Sequence, residues 1–260
     1  MGNIFLVDVH AHLQDEKLFP ECDELVKRAA EAGVARIINA GTCIETSKQA
    51  IDIARKHSSC SALVGVHPHD ASGAKSTTTE ELRKLAEQPE VVGIGEIGLD
   101  FHYNFSPPEV QVAVFKSLWQ LAAELNMPAV IHVREAFDEF FTAIRDLPCP
   151  PEVMLHCFSG DLDIARRAVD MGFHFSIGGA LTFPKSEMTR SVFKFLPENA
   201  IHLETDCPYL APQPRRGKRN EPAWLPMTLE YLAKTRGIAE EEMARILHRN
   251  AIAFFGPRLA

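Results

Sequence analysis

The chain alternates short apolar runs with longer segments in which apolar residues recur at helical spacing. The short runs predict β-strands at residues 4–9, 35–40, 61–66, 91–95, 128–133, 152–157, 173–179 and 201–205. The longer segments predict helices at 22–32, 79–88, 109–126, 136–146, 160–171 and 186–196, and two more within 223–256 on either side of Gly237. Apolar strands that alternate with helices are typical of a parallel α/β sheet covered on both faces. Eight such units predict a single (β/α)8 TIM barrel over residues 1–260, with an open doubly wound sheet as the alternative.

Composition narrows the class of protein. The chain is 46% hydrophobic and 24% charged, which is typical of a globular domain. It contains no run of about 18 apolar residues. We expect no secretory leader, and we interpret Gly2 at a myristoylation position as a chance match. Six scattered cysteines without C-x-x-C pairs favour a reducing, cytoplasmic location. We therefore expect no membrane association and no obligate protein partner.

The net charge of −8 limits how the protein could bind nucleic acid. Proteins that coat long nucleic acids are usually basic, because contacts with phosphate supply the affinity. An acidic chain can still admit one end of a strand into a locally positive site.

The segment VVGIGEIGLD, residues 91–100, places Gly93, Gly95 and Gly98 in the spacing G-x-G-x-x-G of a dinucleotide-binding turn. Such a turn needs a helix to begin at once, because the pyrophosphate binds at the helix N-terminus. No helical period begins here before Pro107 and Pro108, so a loop is predicted after Gly98. The segment therefore predicts a buried strand that delivers the carboxylate of Glu96 into a pocket.

Ionisable side chains follow six of the eight predicted strands. TIM barrels carry their chemistry at the carboxyl ends of the strands, so these side chains should meet at one rim. They are Asp8, His10 and His12 on the first strand, His67 and His69 on the third, Glu96 on the fourth, His132 and Arg134 on the fifth, His156 on the sixth, and Glu204 and Asp206 on the eighth.

The histidines and carboxylates of this set predict a metal site. His10 and His12 are two residues apart on an extended chain, so both rings point the same way. Four more candidate ligands are Glu96, His132, His156 and Asp206. Six ligands are more than the four that one tetrahedral ion binds, and they suit two divalent cations that share a carboxylate. Mg²⁺ or Mn²⁺ is expected, and Zn²⁺ is also compatible with such ligands.

Each of these residues also has a simpler interpretation. A single histidine after a strand is usually a hydrogen-bonded rim residue. Asp206 could cap a helix ahead of Pro208, and Glu96 could pair with Arg134. Taken together they favour a metal site, because buried imidazoles and carboxylates are costly unless they are paired or metallated.

Seven motifs extend this pattern over the whole chain, and with them the sequence resembles the TatD family of metal-dependent nucleases, within the amidohydrolase-like barrels. The motifs are DVHAHL (8–13), GVHPHDA (65–71), GEIGLDFH (95–102), PAVIHVREA (128–136), LHCFSG (155–160), ETDCPYLAP (204–212) and RRGKRNEP (215–222). The resemblance implies that Glu96 stands where most other branches of that superfamily carry a carbamylated lysine. It also implies two ion sites that share Glu96, one formed with His10, His12 and Asp206 and the other with His132 and His156.

The resemblance further implies the function and several roles. It implies 3′–5′ exonuclease hydrolysis of DNA phosphodiesters, with a preference for single strands. Asp206 would orient or deprotonate the attacking water, with Glu96 and His67 as the other catalytic residues. His67 and the neighbouring His69 would lie beside the scissile phosphate or the leaving oxygen, although a structural role is equally compatible with either residue.

The loop RRGKR (215–219) is the only dense positive cluster and predicts a phosphate clamp, with Arg216 as its main contact and Arg134 as a second. Rim aromatic residues could stack a terminal base; the candidates are Phe101, Phe158, Phe183 and Tyr209. Cys157 and Cys207 adjoin predicted ligands, but adjacent strand residues point to opposite faces, which disfavours a thiol nucleophile.

Two other functions use the same residues. One is hydrolysis of a different ester or an amide, including aminoacyl-tRNA esters, which would not need both Arg134 and Arg216. The other is a metal-stabilised binding protein without turnover, which would not need Asp206 as a base.

Overall fold

The computed structural model describes residues 5–259, except for the side chain of Pro257. Each strand pairs in parallel with the next along the chain, so one eight-stranded sheet runs in sequence order. The strands are β1 (Leu6–Ala11), β2 (Val34–Ala40), β3 (Cys60–Val64), β4 (Val91–Asp100), β5 (Ala129–Arg134), β6 (Val153–Leu155), β7 (His174–Ile177) and β8 (Ile201–Leu203). Ile4, in the first predicted strand, and Gly2 lie outside the described residues.

The sheet closes where β8 approaches β1. The backbone N–H of Asp206 donates to the carbonyl of His10 at 3.0 Å, and that of His12 donates to the carbonyl of Cys207 at 2.9 Å. The Asp8 carboxylate accepts from the Thr205 N–H at 2.8 Å. The predicted (β/α)8 barrel is thus confirmed and the open doubly wound sheet is wrong. That the barrel extends over all of residues 1–260 stays a prediction.

Helices follow the strands around the outside. They are α1 (Cys22–Glu31), α2 (Ile44–Lys56), α3 (Thr78–Ala86), α4 (Pro108–Glu124), α5 (Phe137–Ile144), α6 (Leu162–Asp170), α7 (Glu187–Phe195), α8 (Leu225–Arg236) and α9 (Glu240–Phe255). Gly237 ends α8 in the left-handed region at φ 66°, as its position between two helical segments predicts. The sequence pattern missed α2, whose first turn carries Thr46 and Ser47, residues of modest helix propensity.

The inward faces of the strands change character along the barrel axis. Val130 of β5 and Met154 of β6 are register partners within an apolar cluster that the end of α9 closes with Phe254 and Phe255. Two residues further along each strand, the same face carries His132 and His156. The barrel interior is therefore filled with apolar side chains at one end and with ionisable side chains at the carboxyl end of the strands.

Strand β4 is longer than predicted, since it continues to Asp100 where the sequence analysis expected a loop after Gly98. Gly98 pairs with His132 at φ 149°, and a Cβ at this position would lie 1.9 Å from the His132 carbonyl oxygen. The glycine therefore permits close packing of β4 against β5, and no helix follows it to bind a dinucleotide.

Among the described residues, no helix has both the length and the apolar character that crossing a membrane requires.

Candidate metal centre

Glu96 lies at the centre of the carboxyl-terminal rim, 3% exposed. Its Oε2 faces the β1 histidines, at 3.3 Å from His10 Nε2 and 3.6 Å from His12 Nε2. Its Oε1 faces the other side, at 3.0 Å from His132 Nδ1 and 2.8 Å from His156 Nε2. The two oxygens of one carboxylate thus contact different pairs of imidazoles, and the rings of His10 and His156 stack on each other with centroids 3.9 Å apart.

Asp206 completes the group beside β1. Its Oδ1 lies 3.4 Å from His12 Nε2, and His10 Nε2 is 3.3 Å from the same nitrogen. The ring of His12 is oriented by its Nδ1, which donates to the Ala40 carbonyl at 2.9 Å. A neutral His12 therefore keeps an unprotonated Nε2 that faces Asp206 and Glu96.

Asp100 orients His132, and the sequence analysis missed it. Its Oδ2 accepts from His132 Nε2 at 3.1 Å, which leaves the lone pair of Nδ1 facing Glu96. Asp100 also accepts from the backbone N–H of Tyr103 at 3.0 Å. The signal was available, because Asp100 ends an apolar run as the assigned carboxylates do.

Glu204 lies beside His156 but just beyond hydrogen-bond distance of it. It is fully buried, accepts from the hydroxyl of Ser176, and places Oε1 3.6 Å from His156 Nδ1. Carboxylates that hold the second nitrogen of a ligating histidine fix its orientation and raise its basicity. The sequence analysis noted Glu204 at the end of a strand but gave it no role.

Two irregularities in the sheet bring the central residues inward. Between Asp8 and Ala11, β1 advances three residues while β2 advances two, and β4 does the same against β5 between Ile94 and Ile97. Such bulges re-aim side chains near active sites. Here they fall at His10 and Glu96.

The charge of the site is set by burial and by its histidines. Burial alone would raise the pKa of Glu96, but the neighbouring His67, His156 and His10 outweigh it and hold the pKa well below its usual range. Burial likewise would raise the pKa of Asp206, but the hydrogen bond that a protonated His12 donates lowers it. Two buried carboxylates therefore remain anionic, balanced by protonated histidines or by bound cations. Burial alone would lower the pKa of His12, His132 and His156, but the neighbouring carboxylates outweigh it and raise the pKa of each.

The donor set fits divalent cations. Three overlapping groups of side chains bring their ligand atoms within 4.8 Å of one another: His10, Glu96 and His156; His10, His12 and Asp206; and His67, Glu96 and His132. The structure thus brings together all six predicted ligands, in a cluster that could hold metal.

His67 and His69 adjoin the cluster, as predicted. His67 Nε2 lies 3.3 Å from Glu96 Oε1, while its Nδ1 accepts from the backbone N–H of His69 at 3.1 Å. His69 in turn places Nε2 3.1 Å from Asp100 Oδ2 and is partly exposed. Burial lowers the pKa of His67 to about 4, so its ring is neutral near pH 7.

The predicted phosphate-binding arginines each lie over an aromatic ring. The Arg134 guanidinium lies over the Tyr103 ring at 4.8 Å, and that of Arg216 over Phe183 at 4.4 Å. Within residues 5–259 neither forms an ion pair with a carboxylate. Arg219 of the same basic loop instead pairs with Glu21, so that part of the predicted clamp is structural.

Several alternative interpretations are wrong. Glu96 is paired with histidines and not with Arg134, and no helix begins at Asp206. Phe158 is only 3% exposed and packs against Phe175, so it is a core residue and not a stacking candidate. Burial raises the pKa of both the Cys157 and the Cys207 thiol well above the usual range, which disfavours a thiolate nucleophile.

Comparison with known proteins places this geometry in a family. Residues 7–256 match the family model described as TatD related DNase. The chain is 38% identical over 258 residues to the 3′-5′ ssDNA/RNA exonuclease TatD of Erwinia amylovora, covering 96% of this chain and 100% of the relative. It is 35% identical over 251 residues to the uncharacterized metal-dependent hydrolase YabD of Bacillus subtilis, covering 96% and 98%. The crystal structure of YJJV, a TatD homolog from Escherichia coli K12, superposes with a TM-score of 0.91 at 28% identity, covering 96% and 97%.

The chain therefore belongs to the TatD related DNase family. The resemblance found in the sequence motifs is confirmed, and with it the expectation of an enzyme that hydrolyses ester bonds.

Proposed function

We propose that this protein is a 3′–5′ exonuclease that hydrolyses single-stranded DNA with two divalent cations, Mg²⁺ or Mn²⁺ before Zn²⁺. His10, His12 and Asp206 would hold one cation together with Glu96. His132 and His156 would hold the other, again together with Glu96. The relative from Erwinia amylovora carries a name with the same polarity and substrate class.

The position of Glu96 carries the proposal. Its two oxygens face different histidine groups, His10 and His12 on one side and His132 and His156 on the other. A carboxylate in this position suits a two-metal site. Bound cations in such a site lower the pKa of water and stabilise charge on the attacking and leaving oxygens of phosphoryl transfer.

Asp206 is suited to act as the base. Its side chain is 13% exposed and faces His12, and its pKa is depressed, so it is ionised and reachable near pH 7. As water forms its bond to phosphorus and the ester bond breaks, Asp206 takes the proton that the water loses. It can then pass that proton to the leaving oxygen.

The tautomer of His67 gives it a different role from that of the proposed metal ligands. Because Nδ1 accepts the His69 N–H, a neutral His67 carries its proton on Nε2, the atom nearest Glu96. An N–H cannot ligate a cation but can donate a hydrogen bond to an oxygen that gains negative charge. We therefore assign His67 to the reacting phosphate and not to a metal.

Arg134, Arg216 and the partly exposed His69 would hold the phosphates of the strand. Unpaired guanidinium groups suit bidentate phosphate binding. An amide substrate would not need both arginines. That neither is ion-paired within residues 5–259 favours a phosphodiester over the alternative esters and amides.

The test uses chelator-treated protein and a 5′-labelled single-stranded DNA oligonucleotide, with Mg²⁺, Mn²⁺ or Zn²⁺ added back. We expect a ladder that shortens from the 3′ end and is absent with Asp206→Asn. Asp170→Asn, which changes an exposed carboxylate at the end of α6, on the opposite end of the barrel, is the matched control and should cleave like the wild type. An RNA oligonucleotide of the same sequence tests the second substrate in the relative's name.

An intact oligonucleotide with two cations demonstrably bound would contradict the nuclease assignment and favour another ester or an amide. Full activity of Asp206→Asn would remove Asp206 from the role of base while leaving the nuclease assignment in place.

A further inference from the structure

Two aromatic side chains stand exposed on the loop between β4 and α4. Tyr103 is 50% and Phe105 is 68% exposed, although large apolar side chains are usually buried. Their rings stack on each other with centroids 5.3 Å apart and planes 9° from parallel. The sequence analysis did not select either residue.

The loop that carries these rings is held firmly. Asp100 accepts the backbone N–H of Tyr103 at 3.0 Å. Gln111 of α4 donates to the carbonyls of Asp100 at 3.0 Å and Ser106 at 2.8 Å. Ser106 donates to the carbonyl of His69 at 2.9 Å. The exposed pair is thus fixed in place by buried polar contacts, as a preorganised binding surface requires.

The aromatic pair is continuous with the metal centre. The ring of His69 lies edge-on to both, at 4.7 Å from Phe105 and 5.6 Å from Tyr103. His69 shares the Asp100 carboxylate with the proposed ligand His132. A strand whose phosphate lies at the cluster would therefore place a neighbouring base beside these rings.

The positive charge of Arg134 beside the aromatic pair also suits a single strand of nucleic acid. Arg134 lies over the Tyr103 ring and forms no ion pair within the described residues. A stacking ring next to a free guanidinium is the combination with which proteins bind the bases and phosphates of single strands. An apolar peptide would make no use of the cation.

We propose that Tyr103 and Phe105 form a stacking platform for one unpaired nucleobase close to the scissile phosphate. The inference rests on the proposed function and extends it to substrate binding. Because a base inside a duplex has both faces covered by its neighbours, the platform selects for single strands. Since every base offers a π-face, it does so without choosing a sequence.

The test measures binding separately from cleavage. The probe is a single-stranded DNA oligonucleotide with phosphorothioate linkages at its 3′ end and 2-aminopurine at one chosen position, whose fluorescence falls on stacking. Metal-loaded protein is titrated with a set of probes that differ in that position. We expect quenching at one position near the 3′ end, and its loss in Phe105→Ala with binding weakened roughly 5- to 150-fold, the equivalent of ~1–3 kcal/mol.

Two further variants serve as controls. Phe105→Tyr keeps a stacking ring and should restore both quenching and affinity. Phe195→Ala removes a ring that is also exposed, at 44%, and that also has an arginine over it, Arg166 at 5.5 Å. Phe195 ends α7 just before β8 begins, so it belongs to the opposite end of the barrel and its loss should change nothing.

Unchanged binding and quenching in Phe105→Ala, or a failure of wild-type protein to bind the probe, would overturn the platform. Cleavage of an unmodified oligonucleotide is measured in parallel. If the wild type quenches the probe fluorescence but cleaves no DNA, the result supports the stacking platform and contradicts the proposed exonuclease activity. If Phe105→Ala cleaves with unchanged KM, the activity stands and the platform falls.

Discussion

At His12 and His132, one ring nitrogen contacts an oxygen that can only accept a hydrogen bond, from Ala40 and Asp100 respectively. The other nitrogen is left with a lone pair that faces the carboxylates of the centre. At His67 the contact is reversed, because Nδ1 accepts a backbone N–H. Residues of one type, within a few ångströms of Glu96, are thereby given different chemical roles.

Glu96→Ala should lose one or both cations, because it removes the carboxylate that faces both histidine groups. Elemental analysis of protein loaded with Mn²⁺ and then desalted measures the loss. Asp170→Asn, at the end of α6 and so at the opposite end of the barrel, is expected to keep the wild-type metal content. Two full equivalents of metal in Glu96→Ala would refute the shared-carboxylate assignment.

Asp100→Asn should lower metal affinity or activity by about 10- to 100-fold, because His132 would lose the charged acceptor that orients it. Metal titration and steady-state kinetics on the same preparation separate the two effects. Asp100→Glu retains the charge and should recover part of the loss. Wild-type affinity and kcat in Asp100→Asn would show that His132 is oriented without it.

At the scale of elements, the sheet places these side chains through irregularities that break its regular register. The extra residues in β1 and β4 turn His10 and Glu96 inward. Gly98 allows β4 to approach β5 closely at His132. The motif G-x-G-x-x-G is therefore explained by strand packing. Its glycines have a steric role, and its carboxylate is the chemical group.

Gly98→Ala should lower the free energy of unfolding by about 1–3 kcal/mol, because its Cβ would clash with the His132 carbonyl oxygen. Chemical denaturation measures the change. Gly73→Ala is the matched control, since nothing lies within 4 Å of its Cβ and its φ is not positive. Equal stability of the two variants would mean that β4 can move away from β5 without cost.

At the scale of the whole molecule, the barrel also buries a histidine pair near the amino ends of β7 and β8. His174 Nδ1 and His202 Nε2 are 2.8 Å apart, so one nitrogen must be an unprotonated acceptor. Burial lowers the pKa of His174 to about 4 and that of His202 well below its usual range. The Glu152 carboxylate lies 3.4 Å from His174 Nε2.

The pair makes stability depend on pH. Both pKa values are lower in the folded than in the unfolded protein, so the unfolded state binds more protons as acidity increases. The contribution is intact above pH ~6.5 and is lost as the pH falls toward ~4, at most ~3 kcal/mol for His174. Denaturation midpoints from pH 7 to pH 4 should therefore fall less steeply in His174→Gln/His202→Met than in the wild type. Parallel slopes would contradict this assignment.

Much of this architecture could be predicted from local pattern. The eight apolar runs predicted the eight strands, because burial on both faces of a sheet leaves a continuous apolar signature. Position at strand ends was sufficient to select His10, His12, Glu96, His132, His156 and Asp206, which the structure brings together. The end of β4 was not predicted, because an apolar run does not show where a strand ends. Helix α2 was not predicted either, because its first turn carries weak helix formers and tertiary packing stabilises it.

The sequence by itself determined the barrel, the family and the set of ionisable residues at one rim, since these depend on periodicity and residue type. The tertiary structure alone decided which ring nitrogen of each histidine faces Glu96. It also decided that Asp100 lies at the other ring nitrogen of His132, and Glu204 at that of His156. It also decided that Phe158 is buried while Tyr103 and Phe105 form an exposed pair. These features depend on contacts between elements far apart in the chain, and no local pattern records the direction in which a side chain finally points.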